Sequence, residues 1–221
     1  MRNHILDKSI HNELLSAEEI ATLYKVPLFS PESASILAAS RRKSGQACQN
    51  QAEVHAQVGL NIAPCPRNCL FCAFAACNEV FGESVELSID DVVQKAKLFE
   101  SDGANAIFLM ATAQYSFEKF FDFSKEIRRQ LKPETVMIAN VGDFHQKQAY
   151  RLKDCGFSGI YHALRLGEGR DTSIKPEKRL QTVKYAQEAG LAIGTCVEPV
   201  GNEHTIEELV EKTIVTREMQ P

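Results

Sequence analysis

The sequence is short of basic charge, of long apolar runs and of any phosphate fingerprint. Lys and Arg number 25 against 29 Asp and Glu, a formal net charge of −4. A chain that holds nucleic acid by its phosphates carries the opposite balance, so no nucleic-acid partner is expected. The one basic strip, Arg41-Arg42-Lys43, reads as the solvated end of a helix. No apolar run approaches the ~20 residues of a membrane span, so no membrane partner is expected. Met1-Arg2-Asn3-His4 does not open a secretory leader, and the chain reads as cytoplasmic. GxGxxG is missing after the first strand-like segment, and Gly167-Glu168-Gly169 lacks the third glycine and reads as a turn. A second cysteine pair, which a zinc ribbon needs, is missing too. What is present is a globular composition, 44% hydrophobic and 24% charged over 221 residues. That is enough for one large domain or two small ones.

Residues 1–50 carry polar helical signals and read as a helical lead-in. Ser16 with Glu19 makes a capping box. Ser30 before Pro31 opens another helix, whose Ala34, Ile36, Leu37 and Ala38 give only a short apolar stripe. Neither piece has the apolar surface for a core of its own. From residue 54 the pattern changes. Val54–Ala63, Ala106–Ala111, Thr135–Asn140, Gly159–Leu166 and Leu191–Val200 are apolar, strand-like runs. Helical signals fall between them: Ser88 with Asp91, the face Phe117, Phe120, Phe121, Ser124 and Ile127, the opening Pro176, and Thr205 with Glu208. Asp102-Gly103-Ala104, Cys155-Gly156-Phe157 and Ala189-Gly190-Leu191 repeat one junction, a helix end followed by glycine and then a strand. Five strand–helix units predict an α/β fold with a parallel sheet over residues 51–221. Two windings satisfy this pattern, an open doubly wound sheet and part of a (β/α) barrel.

Seven cysteines in a chain read as cytoplasmic stay reduced, which favours metal binding or catalysis over disulfides. Three of them, Cys65, Cys69 and Cys72, form CxxxCxxC directly after the first strand. Thiolates at that spacing can meet one iron–sulfur cluster from a single tight loop. Three protein sulfurs leave one iron of a cubane open to a small molecule, the mark of a reactive centre. A structural zinc site, or a four-cysteine cluster with Cys77 as the last ligand, is the alternative. Cys77 stands in an apolar stretch after Ala73-Phe74-Ala75-Ala76 and reads as unligated. Cys48, Cys155 and Cys196 are scattered and read as core.

CxxxCxxC after the first strand of a parallel α/β repeat, with Phe71 before the last cysteine, resembles the radical S-adenosylmethionine (SAM) superfamily. The helical lead-in, Arg179 on the helix after the fourth strand, and a glycine-containing end to the fifth strand resemble its biotin synthase-like subgroup. That resemblance implies a partial (β/α) TIM-type barrel and a radical SAM enzyme. It implies a 4Fe-4S cluster on Cys65, Cys69 and Cys72, with SAM on the open iron. Reductive cleavage would give a 5′-deoxyadenosyl radical for hydrogen abstraction from a small-molecule substrate, with flavodoxin or ferredoxin as electron donor. Phe71 would lie beside the adenine and Arg179 would face the methionine carboxylate. Arg165 and Glu168, with His162, stand where relatives bind ribose or methionine. Thr112 and Gln114 replace an acidic element that relatives use for the amine. Gly201 lies where the backbone approaches adenine, and Asn140 and Asp143 end the third strand. A complete (β/α)₈ barrel takes ~250 residues, so five units imply a missing C-terminal segment or a partner copy against the open edge. The expectation is a fragment of a longer enzyme.

Overall fold

The computed structural model describes residues 2–220; Met1 and Pro221, the chain ends considered above, lie outside the described residues. The chain divides into two compact units, residues 1–52 with 200–215, and residues 53–199 with 216–221.

The first unit is helical: α1 (Arg2–Ile10), α2 (Ala17–Tyr24) and α3 (Pro31–Ala47). The Ser16–Glu19 capping box forms, and Ser30 caps α3 with Pro31 in its first turn. Apolar burial here is thin. Ile5 and Ile20 are buried, while α3 buries no residue along its 17. Polar ties do much of the fastening: Lys8 Nζ meets Glu19 at 2.8 Å, and Lys43 Nζ donates to the Ser9 carbonyl at 2.6 Å.

The second unit begins with β1 (His55–Gly59), then β2 (Asn61–Ile62) and β3 (Val85–Glu86). Next come α4 (Ile89–Ser101), β4 (Ala106–Met110), α5 (Phe117–Gln130), β5 (Val136–Asn140) and α6 (Gln146–Asp154). It continues through β6 (Gly159–Tyr161), α7 (Pro176–Glu188) and β7 (Ala192–Gly194). The following helix, α8 (Ile206–Glu218), belongs mostly to the first unit, where Thr213 Oγ1 pairs with Tyr24 Oη at 2.7 Å.

Strands β1, β4, β5, β6 and β7 form one parallel sheet in chain order. A doubly wound sheet reverses direction at a switch point. This one does not, so the winding is that of a (β/α) barrel, present as a five-stranded arc. Ile107, Leu109, Met137 and Ala139 are fully buried, as parallel strands covered by helices require. On α5 the expected face is the buried one: Phe120, Phe121, Ser124 and Ile127. Phe120 stacks on Phe157 with ring centroids 5.6 Å apart, and the buried Ser124 hydroxyl donates to the Phe120 carbonyl at 2.6 Å. The three helix–glycine–strand junctions all take the left-handed conformation, with φ of 100°, 89° and 70° at Gly103, Gly156 and Gly190.

The predicted strands are longer than the observed ones at their C-terminal ends. β6 stops at Tyr161 and β7 at Gly194, and the residues beyond become loop. The first predicted strand breaks at Leu60, after which Asn61–Ile62 pairs antiparallel with Val85–Glu86. Beyond the ladder, Asn61 and Ile62 after β1 and His162, Ala163 and Arg165 after β6 line a cavity instead.

Candidate functional site

The C-terminal ends of four parallel strands open on one cavity of about 580 Å³, lined by Gly59, Met110, Asn140 and Tyr161 among others. This is the edge where parallel α/β folds place their ligands. Every residue that lines it belongs to the sheet unit.

Cys65, Cys69, Phe71 and Cys72 reach the cavity from the loop between β2 and β3. The loop is pinned at both ends. The β2–β3 pairing closes its base, and Asn61 clamps its start to the end of β4. Asn61 Nδ2 donates to Thr112 Oγ1 at 2.8 Å, and its Oδ1 accepts from the Thr112 N–H at 3.0 Å. Each such bond contributes about 1 kcal/mol. Inside the loop the Cys65 N–H donates to the Phe74 carbonyl at 2.6 Å, and the Cys72 N–H to the Cys69 carbonyl at 2.9 Å. The Asn78 amide bridges the carbonyls of Leu70 and Cys72. Cys65 is buried and Cys69 and Cys72 are half-buried. Burial pushes the Cys69 thiol above its ordinary pKa, with Arg165 opposing.

Among the described residues, no three His, Cys, Asp or Glu side chains close tightly enough on one point to hold a single metal ion. The three thiols instead share the wall of one cavity. Three thiolates reaching one cavity can each meet a different iron of a cluster. The donor chemistry fits a cluster. Cys77 is exposed, outside the lining residues, with its thiol directed at Asn78 Oδ1. Cys48 is exposed, Cys155 is buried, and Cys196 lies 3.0 Å from the Tyr161 hydroxyl.

Behind the cavity lies a buried ionic network. Asp143, His162, Glu168 and Arg179 have side chains 4%, 2%, 0% and 6% exposed. His162 Nε2 meets Asp143 Oδ1 at 3.2 Å, and Arg179 Nη1 lies 3.5 Å from the same oxygen. Arg179 Nε is 3.4 Å from Glu168 Oε2, yet it makes no hydrogen bond. Thr182 donates to Asp143 at 3.2 Å and Thr172 to Glu168 at 2.6 Å. Burial alone would raise the Asp143 carboxyl. The hydrogen bond from His162 and the charge of Arg179 outweigh it and hold the pKa at about 2. Burial pushes His162 down, with Asp143 opposing and Arg179 adding.

Of the residues expected at the site, Cys65, Cys69, Cys72, Phe71, Thr112, Arg165 and Arg179 line the cavity together, as do Asn140 and His162. Arg165 stands 5.8 Å over the Phe71 ring, with Glu198 3.5 Å from its Nε. Glu168 is buried against Arg179 and does not itself line the cavity. Gln114 is exposed, and its amide donates to the Pro64 carbonyl at 3.1 Å. Gly201 belongs to the helical unit and is not a lining residue. Sequence reading missed Asn61 and Arg67, both of which line the cavity. For Asn61 the signal was an amide at the end of an apolar strand, directly before the cysteine motif.

Gly142 follows β5 on the cavity wall, and a Cβ there would stand 2.4 Å from the Ala113 carbonyl oxygen and 2.8 Å from its Cα. Both are backbone atoms, so the loop after β4 would have to shift. Gly142→Ala is expected to lower the melting temperature by several degrees. Gly59→Ala, with nothing within 4 Å of its added carbon, is expected to melt with the wild type. Thermal unfolding by circular dichroism checks both.

A five-stranded parallel arc with three cysteines looped over its C-terminal edge defines a class of protein, and comparison with known proteins agrees. Residues 63–213 match the family model of the Radical SAM superfamily, and the chain belongs to that superfamily. Its relatives place it with the biotin synthase-like group. It is 25% identical over 180 residues to a biotin synthase of Corynebacterium jeikeium, covering 79% of this chain and 50% of that one. It is 28% identical over 163 residues to a biotin synthase of Acetivibrio thermocellus, covering 70% and 50%. The chain thus spans about half the length of these curated relatives. Among solved structures, methylornithine synthase (PylB) superposes with a TM-score of 0.82 at 17% identity, over 98% of this chain and 65% of that one. The FeFe-hydrogenase maturase HydG from Carboxydothermus hydrogenoformans gives 0.74 at 22% identity, over 95% and 50%. No helix among the described residues is long and apolar enough to cross a membrane.

Proposed function

We propose that this chain is the catalytic core of a radical SAM enzyme. It would hold a 4Fe-4S cluster on Cys65, Cys69 and Cys72, with SAM beside it in the 580 Å³ cavity. The carrying observation is that the three thiols, an aromatic face and three guanidinium groups line that one cavity. When bound, the cluster and SAM supply a 5′-deoxyadenosyl radical that takes a hydrogen atom from the substrate. The protein's part is positioning. Phe71 offers a flat wall to the adenine. Arg165, half-buried with one distant carboxylate, has donors left for the methionine carboxylate. Arg179, set between Asp143 and Glu168, also lines the cavity and would face the methionine carboxylate from there. Thr112, anchored by Asn61, keeps a hydroxyl for the cofactor's amine side, whereas Gln114 and Gly201, which do not line the cavity, drop out of the proposed binding set. The helical residues 1–50 act as a lead-in to a core at 51–221. A cytoplasmic flavodoxin or ferredoxin supplies the electron, and a small molecule is the substrate.

Anaerobic reconstitution tests this. About four irons and four sulfides per chain are expected. The paramagnetic spectrum of the reduced cluster should change when SAM is added, and dithionite should release 5′-deoxyadenosine. One zinc without sulfide would overturn the proposal in favour of a structural site. A cluster whose spectrum ignores SAM would overturn it in favour of an electron-transfer module.

A further inference from the structure

Among the described residues, the cavity wall carries three arginines, Arg67, Arg165 and Arg179, and no aspartate or glutamate. Their charges are not equally answered. Arg179 lies between Asp143 and Glu168 at 3.5 and 3.4 Å, and Arg165 has Glu198 at 3.5 Å. For Arg67, among the described residues, no carboxylate stands within ion-pair distance. Arg67 is half-buried on the cavity wall, and an anionic group there would supply the counter-charge that the chain does not.

The backbone that carries Arg67 is fixed. Both the N–H and the hydroxyl of Ser173 donate to the Arg67 carbonyl at 2.9 Å, and the hydroxyl also reaches the Pro66 carbonyl at 3.3 Å. Three residues on, the Leu70 N–H donates to the Asp171 carbonyl at 2.9 Å. The loop is stitched to the turn after β6, so the guanidinium is presented from an anchored base. A planar fork held this way suits a bidentate oxyanion. Nearby lining from Ile62, Phe74 and Met110 is apolar.

We propose that Arg67 recognises an anionic group, a carboxylate or a phosphate, on the small-molecule substrate, whose body occupies the apolar part of the cavity. The inference rests on the reading of this cavity as the cofactor and substrate site. The SAM carboxylate is already met by Arg165 and Arg179 in that reading, and this leaves Arg67 to the second ligand.

The test is calorimetry on the reconstituted protein with SAM present, using hexanoate, its neutral isostere hexanamide, and inorganic phosphate. Wild type should bind hexanoate at least tenfold more tightly than hexanamide. Arg67→Gln should lose that preference, and Arg67→Lys should recover part of it. Arg129→Gln, which changes an exposed arginine on α5 paired with Glu126, should behave as wild type. Phosphate that competes with hexanoate at equal concentration identifies a phosphate-type substrate; a failure to compete identifies a carboxylate. Equal binding of hexanoate and hexanamide by wild type would overturn the proposal, as would a preference that survives Arg67→Gln. A matching fall of iron content or SAM affinity in Arg67→Gln would also overturn it, by assigning the charge to the cofactor. If wild type takes up no cluster, the functional reading fails by itself, and the hexanoate preference of the metal-free chain still decides the role of Arg67.

Discussion

Replacing Cys69 by alanine is expected to reduce 5′-deoxyadenosine release to background, while replacing the exposed Cys77 by serine leaves it at the wild-type rate. The contrast follows from placement. Cys69 is half-buried on the cavity wall between two other thiols, where a cluster would lose one of three protein ligands. Cys77 lies outside the lining residues, and its backbone N–H is held by Asn68 Oδ1 at 3.2 Å. Iron and sulfide counts on the same samples separate the two effects. Cys69→Ala should fall well below about four irons per chain, and Cys77→Ser should not. Release of 5′-deoxyadenosine by Cys69→Ala at the wild-type rate would refute the ligand assignment. A fall in iron content of Cys77→Ser would name a fourth ligand and remove the open corner for SAM.

The second large effect is on stability. Asp143→Asn is expected to cost about 3–5 kcal/mol, because it leaves the buried Arg179 with Glu168 alone as counter-charge. For a chain of this size each kcal/mol moves the melting temperature by about 2–4 °C, so a drop of roughly 10 °C is expected. The pH dependence gives an independent signature. Asp143 has its folded pKa lowered from 3.8 to about 2. A depressed carboxyl contributes stability that is fully present above its unfolded pKa and is lost as pH falls through the folded one. Wild type should therefore lose on the order of 2 kcal/mol from this group between about pH 4 and pH 2. Asp143→Asn should show a flatter profile there. A variant that melts with wild type and keeps the same acid limb would contradict the network described above.

Arg179 illustrates how far a sequence can be read. Its position on α7, after Pro176 and ahead of the apolar Leu180 and Val183, marked a helix arginine near a strand end. Nothing local showed that Asp143, His162 and Glu168, 11 to 36 residues away along the chain, would enclose it. Asp143 reads as the end of the third strand, at the pocket or in a turn, and neither place calls for an arginine. Gln114 shows the reverse. Next to Thr112 in sequence, it looked like a partner in the same task, yet the loop after β4 turns it outward to the Pro64 carbonyl.

The alternation of five strands and their helices, the glycine junctions, the N-terminal caps and the spacing of the cysteines are all legible along the chain. Each of these is set by interactions spanning a few residues: hydrophobic period, capping hydrogen bonds and left-handed glycine. That the strands wind in one direction, and that Asn61 fastens the cysteine loop to β4, emerges from the three-dimensional fold alone. It alone showed which arginines already have counter-charges and which one does not. Charge compensation and cavity shape depend on groups brought together from distant segments, and no local pattern encodes those distances.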